Sequence, residues 1–257
     1  TVDTNGDQWT NAPETYVTNG PFKVAELNMG ESVVLVKNPN YYAADTVKLE
    51  KVTLRYITDQ GTSLMAYEGG GIDGMSTIPS SDYARLKAEN AGIVVSPSYG
   101  TVFYDINCAA APFDNVLVRK AFAMAVDRLA IIEDVVQTEA QPAFSFISPG
   151  YVVDGEDFVE GRDSFGLSEE ADIEGAQAAL AEAGYPNGEG FPEITLSYYS
   201  NETVKKVVEA MAEMFETNLN VKVNITNADW AIFYEDVLAG KYQIAAMGWS
   251  GDYVHPM

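Results

Sequence analysis

Residues 242–257 read YQIAAMGWSGDYVHPM and set an indole, a hydroxyl and a carboxylate among glycines at Gly248-Trp249-Ser250-Gly251-Asp252. A carboxylate withdrawn from water without a partner is costly, and the nearest basic residue on the N-terminal side of Asp252 is Lys241. A cationic group on a ligand, such as an amine, would serve as that partner. Aspartate also caps turns and helix starts with its own side chain, and the local residues leave both uses open. Ser250, Asp252 and His255 are the residue types of a hydrolytic triad. They lie in one short stretch, however, whereas triad members meet from separate elements. His255 is the single histidine, which excludes His-rich metal sites and two-histidine proton relays. Cys108 is the single cysteine, which excludes an intrachain disulfide and a multi-cysteine metal site. No P-loop, G-x-G-x-x-G or D-x-D-x-D-G calcium loop occurs; Gly69-Gly70-Gly71 precedes an expected strand, the wrong context for phosphate. The paired carboxylates Glu156-Asp157 and Glu169-Glu170 read as solvated groups in a loop and at a helix start. These absences point to a binding protein with no cofactor and no metal, and not to an enzyme.

The elements that must carry the 248–252 cluster form a β-α-β-α-β run over 193–249. Its expected strands cover 193–199, 221–226 and 242–247, and its helices 202–219 and 230–239. Such a run folds with parallel strands and right-handed crossovers, and ligands bind beyond the carboxyl ends of the strands. Ser200-Asn201, Asn227 to Asp229 with Trp230, and Trp249 to Asp252 therefore point towards one place. The 15 tyrosines, several near strand ends, add apolar surface with a hydroxyl handle, suited to ligands of mixed character.

Upstream, 22–27 and 32–37 flank a turn containing Gly30, a hairpin pattern. A strand is expected over 47–57, a helix over 62–68, a strand over 72–78 and a helix over 83–89. Strands follow at 93–96 and 101–107. Val118, Ala121, Phe122, Ala125 and Val126 share one face of a helix opening after Asn115, and Asp127 caps a second helix over 128–136. The loop-rich stretch 141–166 exceeds an ordinary connection, so it is expected to be functional or draped over a surface. A helix over 169–183 is stopped by Gly184 and Pro186. The β-rich first part and α/β last part suggest two lobes, residues 1–103 and 104–257.

The 257 residues suffice for one large domain or two small ones, and 47% hydrophobic with 21% charged residues is ordinary for a globular chain. A net charge of −23 argues against nucleic acid and anionic membranes as partners. No apolar run is long enough to span a bilayer. The polar start of the chain has no signal peptide pattern, as expected of a mature or truncated product.

Six stretches carry a family resemblance: N-G-P-F-K-V at 19–24, K-N-P-N-Y-Y at 37–42, Y-E-G-G-G-I-D at 67–73, A-P-F-D-N-V-L-V-R-K-A-F-A-M-A-V-D-R at 111–128, Q-P-A-F-S-F at 141–146 and G-W-S-G-D-Y at 248–253. In order and spacing the chain resembles the extracytoplasmic solute-binding proteins of peptide-type ABC transporters, the oligopeptide, dipeptide and nickel cluster. The resemblance implies an α/β, two-lobed periplasmic-binding-protein-like fold (type II, cluster C) whose lobes close over the ligand. Family chains are longer at both ends, so an internal, incomplete piece is expected. The implied function is a monomeric receptor that binds peptides and delivers them to ABC permease subunits. It would act outside the cytoplasm, lipid-anchored at the cell surface or in the periplasm. In peptide-binding members an aspartate at the Asp252 position pairs with the ligand's α-amino group. Trp249 and Trp230 match aromatic wall positions, and Tyr104 and Asn107 match a strand that crosses between lobes and lines the cleft. Ser250, Gly251, Asn227 and Tyr253 complete the expected set. Some oligopeptide binders take the ligand carboxylate with arginines where this chain has Val237 and Ala246, so that capture is not expected. A nickel or other-solute receptor, or a sensing or adhesion protein on the same fold, is the alternative. A carboxylate hydrolase lacks a nucleophile–base pair.

Overall fold

The computed structural model describes residues 6–95, 98–253 and 255, and the chain divides into two compact units, Thr1–Pro79 and Ser80–Met257.

In the first unit β1 (Phe22–Asn28), β2 (Ser32–Lys37) and β3 (Lys51–Arg55) form an antiparallel meander. The turn closes through the Glu31 amide on the Asn28 carbonyl (3.0 Å), with Gly30 at φ +73°, a conformation open to glycine at little cost. Buried Asn38 holds the exit from β2, its Nδ2 donating to Gly20 O and its Oδ1 accepting from the Asn40 amide. Strand β3 is shorter than the expected 47–57 because its pairing ends at Val36↔Lys51, while the Val47 amide turns back to Ala44. Helix α1 (Gln60–Glu68) starts at Asp59, whose carboxylate accepts from the Thr62 amide at 2.7 Å. The strand expected over 72–78 does not form. The Gly71 and Ile72 amides bond back to Ala66 O at the helix end, and no neighbouring strand offers a ladder. Leu64 is the one apolar side chain of this unit that is fully buried among the described residues.

The second unit opens with α2 (Ser80–Ala88) and β4 (Gly100–Ile106). Residues 93–95 of the expected 93–96 strand form none, and Ser96 lies outside the described residues. Helix α3 (Val116–Met124) is capped by Asn115 and buries Val118, Ala121 and Phe122. Asp127 caps the next turn through the Ala130 amide, but only Arg128–Ala130 is α-helical; Ile131–Val136 winds as a π-helix and ends at left-handed Gln137. Within 141–166 a two-residue hairpin appears, β5 (Val152–Val153) and β6 (Glu156–Asp157). Helix α4 (Ile173–Glu182) begins later than expected, at an Asp172 cap, because the Glu169 carbonyl takes the Arg128 and Leu129 amides instead.

The remainder is the β-α-β-α-β run: β7 (Ile194–Tyr199), α5 (Glu202–Leu219), β8 (Val223–Ala228), α6 (Trp230–Leu238) and β9 (Ile244–Ser250). Strand β7 lies parallel to both β8 and β9, and β4 joins the outer edge of β9 antiparallel, giving the order β4-β9-β7-β8. Alternation along β7 buries Ile194, Leu196 and Tyr198 and leaves Thr195, Ser197 and Tyr199 on the other face. The buried face meets the stripe Val208, Met211, Phe215 and Leu219 of α5. Phe122 joins the layers, its ring 5.1 Å from Phe113 and 4.7 Å from Phe215. The second unit thus starts at Ser80, and β4 runs unbroken across the 103/104 limit expected for the lobes.

Candidate functional site at the strand ends

Two groups of the expected residues form, one on β7 and β8 and one on β9. In the first, Asn227 Nδ2 donates to Ser200 Oγ at 2.9 Å, and the Ser200 amide and hydroxyl both turn to Ala228 O. These bonds tie the ends of two parallel strands together. Trp230, the first residue of α6, meets the Tyr199 ring edge-on at 5.2 Å and stacks on Tyr234 at 5.3 Å and 17°. Phe233 lies buried against Tyr199 at 5.9 Å. Trp230 remains 50% exposed, so Tyr199, Trp230 and Tyr234 make an aromatic wall with one side open.

Tyr104 stands mid-strand opposite Ala246 and packs against the core. Burial pushes its phenol well above the usual tyrosine range, and a charge on Tyr199 would push it further. Burial raises Tyr199 as well. Both hydroxyls, protonated at neutral pH as any tyrosine is, are held so further into the alkaline range and act as hydrogen-bonding groups without charge.

The second group sits where β9 parts from β7. Their pairing covers only Leu196↔Ile244 and Ser197↔Ala245, whereas pairing with β4 continues to Gly100↔Ser250. The last residues of β9 therefore travel on a β4–β9 ribbon. Trp249 (59% exposed), Ser250, Gly251, Asp252 and Tyr253 (61% exposed) stand at its tip. Among the described residues Asp252 is exposed and makes no hydrogen bond or ion pair, so it caps nothing there. No ring contact or hydrogen bond joins this tip to Trp230 or Asn227 among the described residues. The three strand ends are thus resolved into a pair and a separate ribbon.

Asn107 belongs to neither group. It follows β4 at the end where β4 meets the start of β9, the opposite end from Asp252. Its Nδ2 donates to the carbonyls of Gly240 and Tyr242, both at 3.0 Å, and its Oδ1 accepts from the Ala109 amide. Those bonds hold the 240–243 turn, whatever else the side chain lines.

An open hollow of about 510 Å³ lies on the sheet face opposite the core, between Ser197 and Thr226 of the strands, Phe233 and Val237 of α6, and Tyr242. It reaches Asn227 but not Trp249 or Asp252. Val237 supplies no charge to it, and Ala246 is buried at 2% exposure. Among the described residues no three His, Cys, Asp or Glu side chains are placed to hold a metal ion. No helix there is long and apolar enough to cross a membrane.

Sequence reasoning missed Tyr234, although a tryptophan and a tyrosine four apart on a helix share one face. It also missed Tyr151, and it counted Tyr99 only among the tyrosines near strand ends; both contact the ribbon tip. The signal for Tyr151 was the Asp154-Gly155 pair, a two-residue hairpin turn hidden in what reads as loop.

Solved structures define the class. A periplasmic oligopeptide-binding protein (OppAIV) of Borrelia burgdorferi superposes with a TM-score of 0.83 at 32% identity, covering 100% of this chain and 49% of that one. Haemophilus influenzae OppA in complex with RPPGFSPFR gives 0.81 at 30% identity, with 99% and 50% covered. The fold is that of the OppA-type periplasmic binding proteins, present here in part. Residues 1–257 match the sequence profile described as "Bacterial extracellular solute-binding proteins, family 5 Middle", and the chain belongs to that family. It is 33% identical over 258 residues to the dipeptide-binding protein DppE of Bacillus subtilis (strain 168), covering 100% of this chain and 47% of that protein. The chain spans about half the length of the curated relatives it matches.

Proposed function

We propose that the chain is the ligand-holding part of an extracytoplasmic receptor that binds peptides by their free α-amino group and delivers them to an ABC permease. One observation carries this reading: Asp252 stands exposed at a strand end with no intrachain partner among the described residues, between Trp249 and Tyr253. An ammonium group meets there an exposed carboxylate that no group of the chain competes for among the described residues, and Trp249 and Tyr253 are exposed on the same ribbon tip. Beyond Ala245 the β7-facing edge of β9 has no strand partner among the described residues. An extended peptide satisfies such an edge by strand addition. Side chains of the peptide then rest against Trp249 and the wall of Tyr199, Trp230 and Tyr234. The names of the relatives, a dipeptide-binding protein and oligopeptide-binding proteins, support peptides as the cargo. The protein is a monomeric carrier and not a catalyst, held at the cell surface by a lipid anchor or free in the periplasm.

Asp252→Asn keeps the side-chain size and removes the charge. It is expected to weaken binding of unmodified short peptides by at least about tenfold, since hydrogen bonds to charged groups contribute roughly 1.5–3 kcal/mol. Unchanged affinity in that variant, with its fold intact by circular dichroism, would count against the reading.

A further inference from the structure

We propose that Tyr151 is the positioning residue of the ribbon tip, holding the turn from which Asp252 and Tyr253 project. The inference rests on the peptide reading for its functional meaning, but its geometry stands apart from it. The tip needs an anchor because β9 has lost β7 after Ala245 and keeps only β4 as a neighbour. Tyr151 is 5% exposed, and its ring lies 5.0 Å from that of Tyr99. Its hydroxyl donates to Tyr99 O at 2.8 Å, and the Gly251 amide donates to the same oxygen at 2.9 Å. One carbonyl, with two lone pairs, therefore joins the loop 141–166 to the residue just before Asp252.

Position 251 is shaped to this contact. A Cβ there would overlap the Tyr151 hydroxyl, and its next nearest neighbours, Tyr151 Cζ and Tyr253 O, lie 3.2 and 3.3 Å away. Glycine lets the hydroxyl approach the tip backbone directly. Tyr151 is in turn held from its own side of the loop. Its carbonyl accepts from the Phe158 amide at 2.7 Å. The Asp157 carboxylate accepts from the amides of Gly150 and Val159 at 2.7 and 3.0 Å. Between them Asp154 and Gly155 take φ of +53° and +89°, the pairing that a tight two-residue hairpin requires. A second strap from the same loop lies further along β4, where Phe146 meets Phe103 edge-on at 4.9 Å.

The test is hydrogen–deuterium exchange on the wild-type chain, Tyr151→Phe, Gly251→Ala and the double variant. It is paired with titration of a mixed pool of short peptides, free or N-acetylated, on the same variants extended at both ends to the length of the relatives. Tyr151→Phe keeps the ring and deletes the donor. It is expected to raise exchange in residues 249–253 about fivefold, the usual effect of one lost hydrogen bond, and to weaken binding of the free pool by a similar factor while leaving the acetylated pool unchanged. Gly251→Ala is expected to disturb the tip more, and adding Tyr151→Phe to it to restore part of the loss, because the overlapping oxygen is gone. Unchanged exchange at 249–253, a rise spread evenly over the sheet, or no rescue in the double variant would overturn the proposal. If the exchange results hold but wild type fails to tell free from acetylated peptides, the amine reading falls and the anchor stands. If wild type discriminates and Tyr151→Phe leaves exchange unchanged, the anchor alone falls.

Discussion

Asp252 and Asn107 are both short polar side chains at strand ends, and their surroundings give them opposite uses. Asp252 has no partner in the chain among the described residues, while Asn107 spends both its amide hydrogens and its oxygen on backbone groups. Asn107→Ala strands the carbonyls of Gly240 and Tyr242. It is expected to cost about 1 kcal/mol of stability by denaturant unfolding, with discrimination between free and acetylated peptides unchanged. A variant of native stability that loses discrimination would return Asn107 to the binding site. Asp252 was legible from its neighbours alone, because a carboxylate following Gly251 and far in sequence from the nearest preceding lysine raises the question of its partner. The role of Asn107 was not legible. It depends on which carbonyls β9 presents beside it, a long-range fact that residue type and family position do not carry. Tyr199 and Tyr104 fall between these cases: their types suggest a handle for ligands and already imply a neutral phenol at physiological pH, but the further upward shift comes from burial that only the folded sheet creates.

At the scale of elements, the parallel run was readable to within two residues at its boundaries, save that β9 runs three residues past its expected end, because each element is locally consistent. Helix α5 shows this best. It has an Asn201 cap accepting from the Val204 amide, one apolar stripe and a left-handed Asn220 at its end, three signals that agree. Phe215 on that stripe is 2% exposed and touches Phe122. Phe215→Ala is expected to cost about 3–5 kcal/mol, read as a fall in the denaturant midpoint; a cost under about 1 kcal/mol would mean the layers are not packed as described. The elements that failed to appear, the mixed stretch 72–78 and the apolar 93–95, have no partner strand, and a strand's existence is decided by its neighbours. The β5–β6 hairpin erred in the other direction, its turn signal lost among glycines and aspartates. Its Asp157 carboxyl is held below the usual carboxylate range by the Val159 and Gly150 amides. The sign follows from that direction. The contribution of these bonds is complete above the ordinary carboxylate range and is lost as pH falls through the lower folded value. The Gly150 and Val159 amide resonances are therefore expected to titrate together, with a midpoint below that of an exposed aspartate, and Asp157→Asn to abolish the titration. A midpoint at or above the ordinary range would contradict the arrangement.

For the whole molecule, the two units differ in how much core each carries. The second has a continuous cluster from Phe113 to Ala246, and the first has Leu64 alone as a fully buried apolar side chain among the described residues. A net charge of −23 surrounds the site with a potential that favours cationic over anionic ligand groups. That suits capture at the amino end of a peptide; Val237 and Ala246 offer its carboxylate no cation, and Lys241, which lines the hollow, is paired with Asp236. The binding of peptides by the free amine is the claim on which the rest of the function turns. It is tested most directly by calorimetric titration of a mixed pool of short peptides, free or N-acetylated, against the chain and against a version extended at both ends to the length of its relatives. The expected result is binding of the free pool, by the extended protein at least, and loss of that binding on acetylation. Equal affinity for the two pools would remove Asp252 from the centre of the site.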